Sequence, residues 1–407
     1  MADGSAVHSR DRQVRGRQGS RTTLALRRHH AVAAILASGL VLVGAASLRA
    51  GGADASRPQR AASTQPAALT GEALYRSACI TCHGPDGRGG EPSVIGFDAP
   101  IPDFTDCLFA TAEPDADWYA VVHEGGPIRA LGRHMPAFGD ALTEAEMNLA
   151  LGHIRTFCAE PAWPRGELNL PRAFFTEKAF PENEAVWETG VALEGSGRVT
   201  NTLVYERRFG PRTQIELKTP ILAEATGAGD WNRGIGDIGI GVKHTFYSSL
   251  VTGRIAAAGM EVVLPTGKES LGLGSGHTVV EPFAMWGQIL PGGAFLQMHG
   301  GLEIPTDAAA GTTEGFIRTG IGMTFAADRG FGRAWSPQVE VLFARPENGT
   351  AEWDVVPQVQ VTLSKLQHVM LATGVRIPVT DRHARSSQFL VYVLWDWFDG
   401  SPFDFWK

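Results

Sequence analysis

From residue 185 to the end of the chain, apolar and polar positions alternate with period two in segments of about ten residues. Turns rich in Gly, Pro, Asp and Asn separate them. Ile238, Ile240 and Val242 share one side, with Gly239, Gly241 and Lys243 on the other. Leu296, Met298 and Leu302 alternate with Gln297, His299 and Glu303, and Val355, Val359, Val361 and Leu363 oppose Gln358, Gln360 and Ser364. Ile317, Ile321, Met323 and Phe325 oppose Phe316, Arg318, Gly320 and Gly322. About a dozen such segments follow one another: 185–194, 198–208, 212–223, 235–247, 254–264, 277–290, 293–304, 314–326, 337–345, 353–364, 367–379 and 387–398. An even number of antiparallel strands of this length, apolar on one face, predicts a transmembrane β-barrel of about 12 strands. Aromatics near strand ends support it: Trp187, Phe246, Trp286, Trp335, Trp353, Trp395 and Trp397. A soluble β-sandwich would show similar local alternation and is the alternative. The charges predicted to face the lumen are Glu216, Lys218, Lys243, Glu303, Arg318 and Arg376. Their mixed signs predict a hydrated or plugged interior.

Before residue 160 the period changes to that of helices. Gly71 to Tyr75 leads helically into residue 79, and the run Gly84 to Gly90 supplies turn residues. Trp118 to His123 has helical spacing, a Gly- and Pro-containing loop runs from Gly125 to Phe138, and Leu142 to Phe157 predicts a closing helix. Thr143 is its expected N-cap, with Glu146 as capping-box partner. Leu149, Ile154 and Phe157 are the expected buried stripe. Residues 161–184 carry prolines at 161, 164, 171 and 181 without periodicity, and predict an inter-domain linker.

The first 55 residues form an Arg-rich stretch, His29-His30, the apolar run Ala31 to Ala46, and Ala53-Asp54-Ala55 as an A-x-A cleavage site. This predicts a secretory signal peptide. An uncleaved anchor is the alternative, although the run is shorter than the roughly 20 residues of a membrane span. The whole chain carries 36 Lys+Arg against 43 Asp+Glu. Removing eight Arg and three Asp with the leader brings the remainder near −12. That sign argues against nucleic acid as a partner.

Cys79-Ile80-Thr81-Cys82-His83 is a C-x-x-C-H motif. Two thiols at this spacing add across the vinyl groups of a haem, and the adjacent imidazole becomes the proximal iron ligand. A thioredoxin-like pair would need a βαβ context, and a zinc half-site would need a second ligand pair; both are missing. Cys107 and Cys158 are then left over, and in an oxidising compartment a disulfide between them is expected. Residues 66–160 are thus expected to be a haem domain, 161–184 a linker and 185–407 the barrel.

The G-x-x-x-Y stretch at Gly71 to Tyr75, C-x-x-C-H-G, Met135-Pro136-Ala137-Phe138 and Leu142-Thr143 with Glu146 make about 90 residues resemble a class I cytochrome c domain. The resemblance implies a three- to four-helix fold around one covalent haem c, with Met135 as the distal ligand. A thioether there raises the reduction potential relative to a second imidazole, and Pro136 would stiffen its loop. His134 and His123 are the rival ligands, and His153 a weaker one. Tyr75 with Gly71 is assigned to helix packing. The Gly234 to Gly241 strand, G-x-G-D-x-G-x-G, resembles the outer-membrane barrel family typified by the phenol-degradation pathway protein. Its literal match to the dinucleotide fingerprint lacks the following helix that the fingerprint requires. In architecture the chain is similar to monohaem cytochrome–porin fusions of iron-oxidising bacteria. Outer-membrane strands usually finish on a terminal aromatic; here Trp397-Phe398 would end the last strand, ahead of a short tail.

These readings together predict an electron carrier at or across the outer membrane, with its haem domain on the periplasmic side or inside the lumen. The expected partners are periplasmic electron-transfer proteins, an extracellular electron donor and outer-membrane lipid. The alternative is an uptake channel for small molecules with the cytochrome as redox partner or plug. A third reading, an electron-accepting module of an enzyme, finds no substrate-site motif, and filled axial positions leave no open coordination site.

Overall fold

The computed structural model describes residues 69–98, 100–158, 160–195, 197–226, 230–309, 311–326 and 331–396. The expected signal peptide, Trp397 and the C-terminal tail lie outside the described residues.

The helical part consists of α1 (Gly71–Ala78), α2 (Ile80–His83), α3 (Pro92–Ile95), α4 (Cys107–Ala112), α5 (Asp115–Glu124) and α6 (Glu144–Ile154). Thr70 caps α1 and Asp106 caps α4 through their side chains, and Thr143 and Glu146 form the expected capping box on α6. Helices α1 and α6 cross so closely that a Cβ on Gly71 would overlap the carbonyl of Leu149. The buried stripe of α6 is Met147, Ala150, Leu151 and Ile154. Leu149, expected inside, is 47% exposed. Spacing of three, one and three residues keeps the four on one face, and Leu149 falls about 100° away from Ala150. Tyr75, Phe104, Leu151 and Ile154 form the core, with Trp118 and Phe157 against it. Cys107 and Cys158 are joined in the expected disulfide.

The second part is one closed antiparallel sheet. Its strands are β1 (Glu184–Ala192), β2 (Arg198–Phe209), β3 (Thr213–Ala225), β4 (Trp231–Ile235), β5 (Ile238–Ser249), β6 (Arg254–Leu264) and β7 (Val279–Ile289). They continue as β8 (Ala294–Pro305), β9 (Glu314–Met323), β10 (Phe325–Ala326), β11 (Ala334–Pro346), β12 (Glu352–Thr362), β13 (Val369–Pro378) and β14 (Gln388–Asp396). β4 and β5 both pair with β3, and β9 and β10 both pair with β11, so the fourteen segments make twelve staves. β1 pairs with β14 along its whole length and closes the barrel. Gly236 and Asp237 interrupt the fourth stave. The Asp237 carboxylate accepts hydrogen bonds from the amides of Gly267 at 2.9 Å and Ser275 at 2.6 Å, so the acidic residue of the glycine-rich strand anchors a loop rather than a ribose.

Burial in the barrel is inverted. Ile240 and Val242 are 46% and 44% exposed, whereas Lys243 and Glu216 are 6% and 7% exposed. A sandwich in water would bury the apolar face; a sheet that exposes it is built for hydrocarbon outside and polar groups inside.

The segment expected to be a linker fills this interior. The carboxylate of Glu340 accepts the backbone amides of Phe174 (3.0 Å), Phe175 (3.1 Å) and Thr176 (2.6 Å) and the Thr176 hydroxyl (2.8 Å). Arg172 pairs with Glu184 and Glu206, and Lys178 with Glu182 and Glu184. Lys218 binds Glu177 from the wall, and Lys243 donates to the carbonyl of Lys178. Inward glycines leave room: a Cβ on Gly374 would stand 3.0 Å from the Phe174 ring, and one on Gly287 3.1 Å from Leu170. Polar wall positions that cannot meet water in a narrow lumen need protein partners, and this segment supplies them.

The helical part rests on the rim where β1 begins and β14 ends. Arg129 donates to the carbonyl of Phe331 at 3.1 Å, and Tyr119 and His123 stack on the Phe331 ring. Ala112 packs with Leu168, Phe180 and Ile255.

Candidate haem site

Cys79 ends α1 and begins α2. The one-turn helix that follows places Cys82 three residues on, and its amide donates to the Cys79 carbonyl at 3.2 Å. Both cysteines are thiols, not a disulfide. Gly84, at φ 75°, stops the turn in a conformation that L side chains avoid. The Tyr75 hydroxyl donates to the Gly84 carbonyl at 2.7 Å, so Tyr75 also fixes the turn after His83. Burial first, and the nearby Cys79 second, push the Tyr75 phenol up to about 12, which keeps it a donor.

His83 lies against Phe104, their rings 4.8 Å apart. Its Nδ1 is buried with no hydrogen-bond partner among the described residues. Burial pushes its pKa down to about 4, so the imidazole is neutral with a free lone pair at ordinary pH. Cys79, His83 and Met135 line one cavity whose other walls include Leu74, Phe104 and Trp118. An apolar cavity with the Cys79 thiol and a neutral imidazole in its wall, and with Cys82 one helical turn on from Cys79 though not itself in the wall, fits a haem attached at Cys79 and Cys82. Such a group would supply reversible one-electron chemistry.

Met135 reaches the cavity from a loop tied to α5. Gly126 donates to the Met135 carbonyl at 3.0 Å, and Phe138 and Gly139 donate to the carbonyls of Val122 and His123 at 2.9 and 3.0 Å. Gly125 turns at φ 81°, and a Cβ there would lie 2.9 Å from the Met135 carbonyl oxygen. The rival histidines are engaged elsewhere. His134 is exposed and stacks on Phe97, His123 bonds to Glu124, and His153 packs on Tyr75 and Phe157. None of the three is among the residues lining the cavity.

One corner of the cavity is polar: Glu113, Asp117, Arg129 and His368. His368 Nε2 stands 2.6 Å from the Glu113 carboxylate, and Arg129 donates to Asp117 at 2.7 Å. Glu113 also shares a side-chain hydrogen bond with Asp117. Burial and then the Glu113 charge push Asp117 up to about 6; Glu113 is drawn below its ordinary value by His368 against the effect of burial. Leu366 and His368 belong to the barrel turn between β12 and β13. Sequence reasoning passed over this corner, since 255 residues separate Glu113 from His368 and no motif marks either.

Residues 66–154 match the family of cytochrome c oxidase, cbb3-type, subunit III, and form a c-type cytochrome domain. No curated protein sequence matches the chain. Among solved structures, an outer membrane channel from Pseudomonas putida F1 is 10% identical with TM-score 0.40, covering 56% of this chain and all of that one. A NanC porin structure is 8% identical with TM-score 0.38 over 52% of this chain and all of that one. A KdgM porin is 9% identical with TM-score 0.35 over 53% and 99% of the two chains.

Proposed function

We propose that the protein is a monohaem c-type cytochrome fixed at an outer-membrane barrel, where it passes single electrons as the iron alternates between Fe(III) and Fe(II). The observation that carries this is the convergence of Cys79, His83 and Met135 on one apolar cavity. In this reading Cys79 and Cys82 hold the haem, His83 is the proximal ligand and Met135 the distal one. The inverted burial of the barrel supports a membrane location. The barrel has twelve staves and short turns at the rim under the cytochrome, such as 210–212 and 250–253. Short turns face the periplasm in outer-membrane barrels, which supports a haem domain on the periplasmic side with periplasmic electron-transfer proteins as its partners. The protein-filled lumen speaks against the alternative of an open uptake channel.

Membrane fractionation with haem staining of unheated and heated gel bands tests the reading. One outer-membrane band should stain for haem in both lanes and change mobility on heating; a band without haem overturns it. Met135→Ala should convert the low-spin reduced spectrum to one with an open sixth site, and an unchanged spectrum assigns the sixth ligand to a histidine.

A further inference from the structure

The cytochrome cavity is closed by a part of the chain that is not cytochrome. Leu366 and His368, from the turn that joins β12 to β13, stand in its wall beside Leu131 and Met135. This turn is held on both sides. Its own Ser364 hydroxyl accepts the amides of His368 at 3.0 Å and Val369 at 3.1 Å, and Asp396 of the last strand donates its amide to the His368 carbonyl at 2.9 Å. Across the seam, His368 meets Glu113. The Gln367 side-chain carbonyl, with the amide turned to accept, lies 2.8 Å from Arg129 Nη2. Arg129 is 5% exposed, and its Nε is a buried donor without a partner among the described residues.

A haem has two carboxylates on one edge and is otherwise apolar. The cavity has one polar corner, where Arg129 and His368 stand with Asp117 and Glu113, and apolar walls elsewhere; Arg129 gives its Nη2 to Asp117 and keeps its Nε for an incoming carboxylate. We propose that two residues of this barrel turn are working parts of the haem site: Leu366 closes the cavity against water, and His368 helps hold the polar corner, where Arg129 receives the carboxylate edge. The inference rests on the haem reading above. Its consequence is that the barrel sets the haem's reduction potential as well as its position. A positive charge added at the wall favours the iron with the extra electron, and a negative charge disfavours it.

The test uses the full chain in detergent, with Leu366→Lys and Leu366→Asp compared by redox titration against mediators. The exposed neighbour Lys365 provides the control Lys365→Glu. The two Leu366 variants should shift the reduction equilibrium several-fold in opposite directions, tenfold corresponding to 59 mV for a one-electron couple, while Lys365→Glu leaves it in place. A general loosening of the fold would move both variants the same way. Loss of covalent haem from a Leu366 variant whose barrel still shows heat-dependent mobility also supports the proposal. Equal potentials in all three variants with haem in place overturn it. Absence of haem from the wild-type chain would instead overturn the cytochrome reading itself.

Discussion

The cytochrome cavity and the barrel lumen are two interiors built by opposite rules in one chain. Around the cavity, Leu74, Phe104 and Trp118 exclude water and the polar groups gather in a single corner. In the lumen, Glu340, Lys243 and Gln297 are inside, while Ile240, Val242 and Ile321 face out. Alternation therefore tells that a strand has two faces but not which of them is buried. The surrounding medium decides that. In water the apolar face turns inward; in hydrocarbon it turns outward, and the polar groups left inside must satisfy one another. Here they do so with a segment of the chain's own backbone, not with side chains alone.

The largest effect is expected where the two rules meet in the plug. Glu340→Ala leaves the amides of Phe174, Phe175 and Thr176 without their acceptor, and each buried orphan costs ~1–3 kcal/mol. The plug should detach: ion conductance in planar bilayers rises clearly above wild type, and the heat-dependent mobility shift moves to lower temperature. Conductance equal to wild type would show that the lumen stays filled without this anchor. On the outer face, Ile240→Arg should destabilise the membrane-inserted barrel by ~2–4 kcal/mol if it lies near the mid-plane. Urea titration in lipid measures this, and a neutral result would break the inversion on which the membrane reading stands.

The smallest effect belongs to the cytochrome's polar corner. Asp117, raised to about 6 from its ordinary 3.8, stabilises the fold in its protonated form. That contribution is complete below pH 3.8 and is lost as pH rises through 6, a change of at most roughly 3 kcal/mol. Glu113 is shifted the other way, so its contribution is already complete above pH 4.5. Between pH 4.5 and 6 the wild-type melting temperature, followed in the haem absorbance, should thus fall relative to that of Asp117→Asn. Parallel curves for the two proteins would show that Asp117 carries no raised pKa.

The strands were legible because period-two alternation is a local property, and the twelve expected segments coincide with the twelve staves. The break at Gly236-Asp237 was not, because an interrupted strand keeps its alternation on both sides. Cys79, Cys82 and His83 announced themselves by spacing. Met135 was singled out from His134 only by the resemblance of its loop; in the structure Met135 stands in the cavity wall, whereas His134 packs on Phe97. Which segment forms the plug was missed because residues 161–183 satisfy no period of their own; their partners, from Glu184 to Tyr392, are scattered over the staves. A signal was present in the glycines at inward positions, Gly287 and Gly374, where a Cβ would crowd Leu170 and Phe174 of the plug. The helix α6 stripe slipped at Leu149 because an apolar residue on an exposed face looks the same as one on a buried face until its neighbours are known.

Arg172 touches three staves at once. Its guanidinium pairs with Glu184 of β1 and Glu206 of β2, and its carbonyl accepts from Tyr392 of β14 at 2.8 Å. The first and last strands of the barrel thus meet on a common scaffold placed immediately before the first. Joining the two ends of a long sheet is entropically the slowest contact such a topology requires. A scaffold that already binds the leading edge and offers the trailing edge a docking point shortens that search, so the segment that blocks the lumen in the finished protein is also placed to guide its zipping.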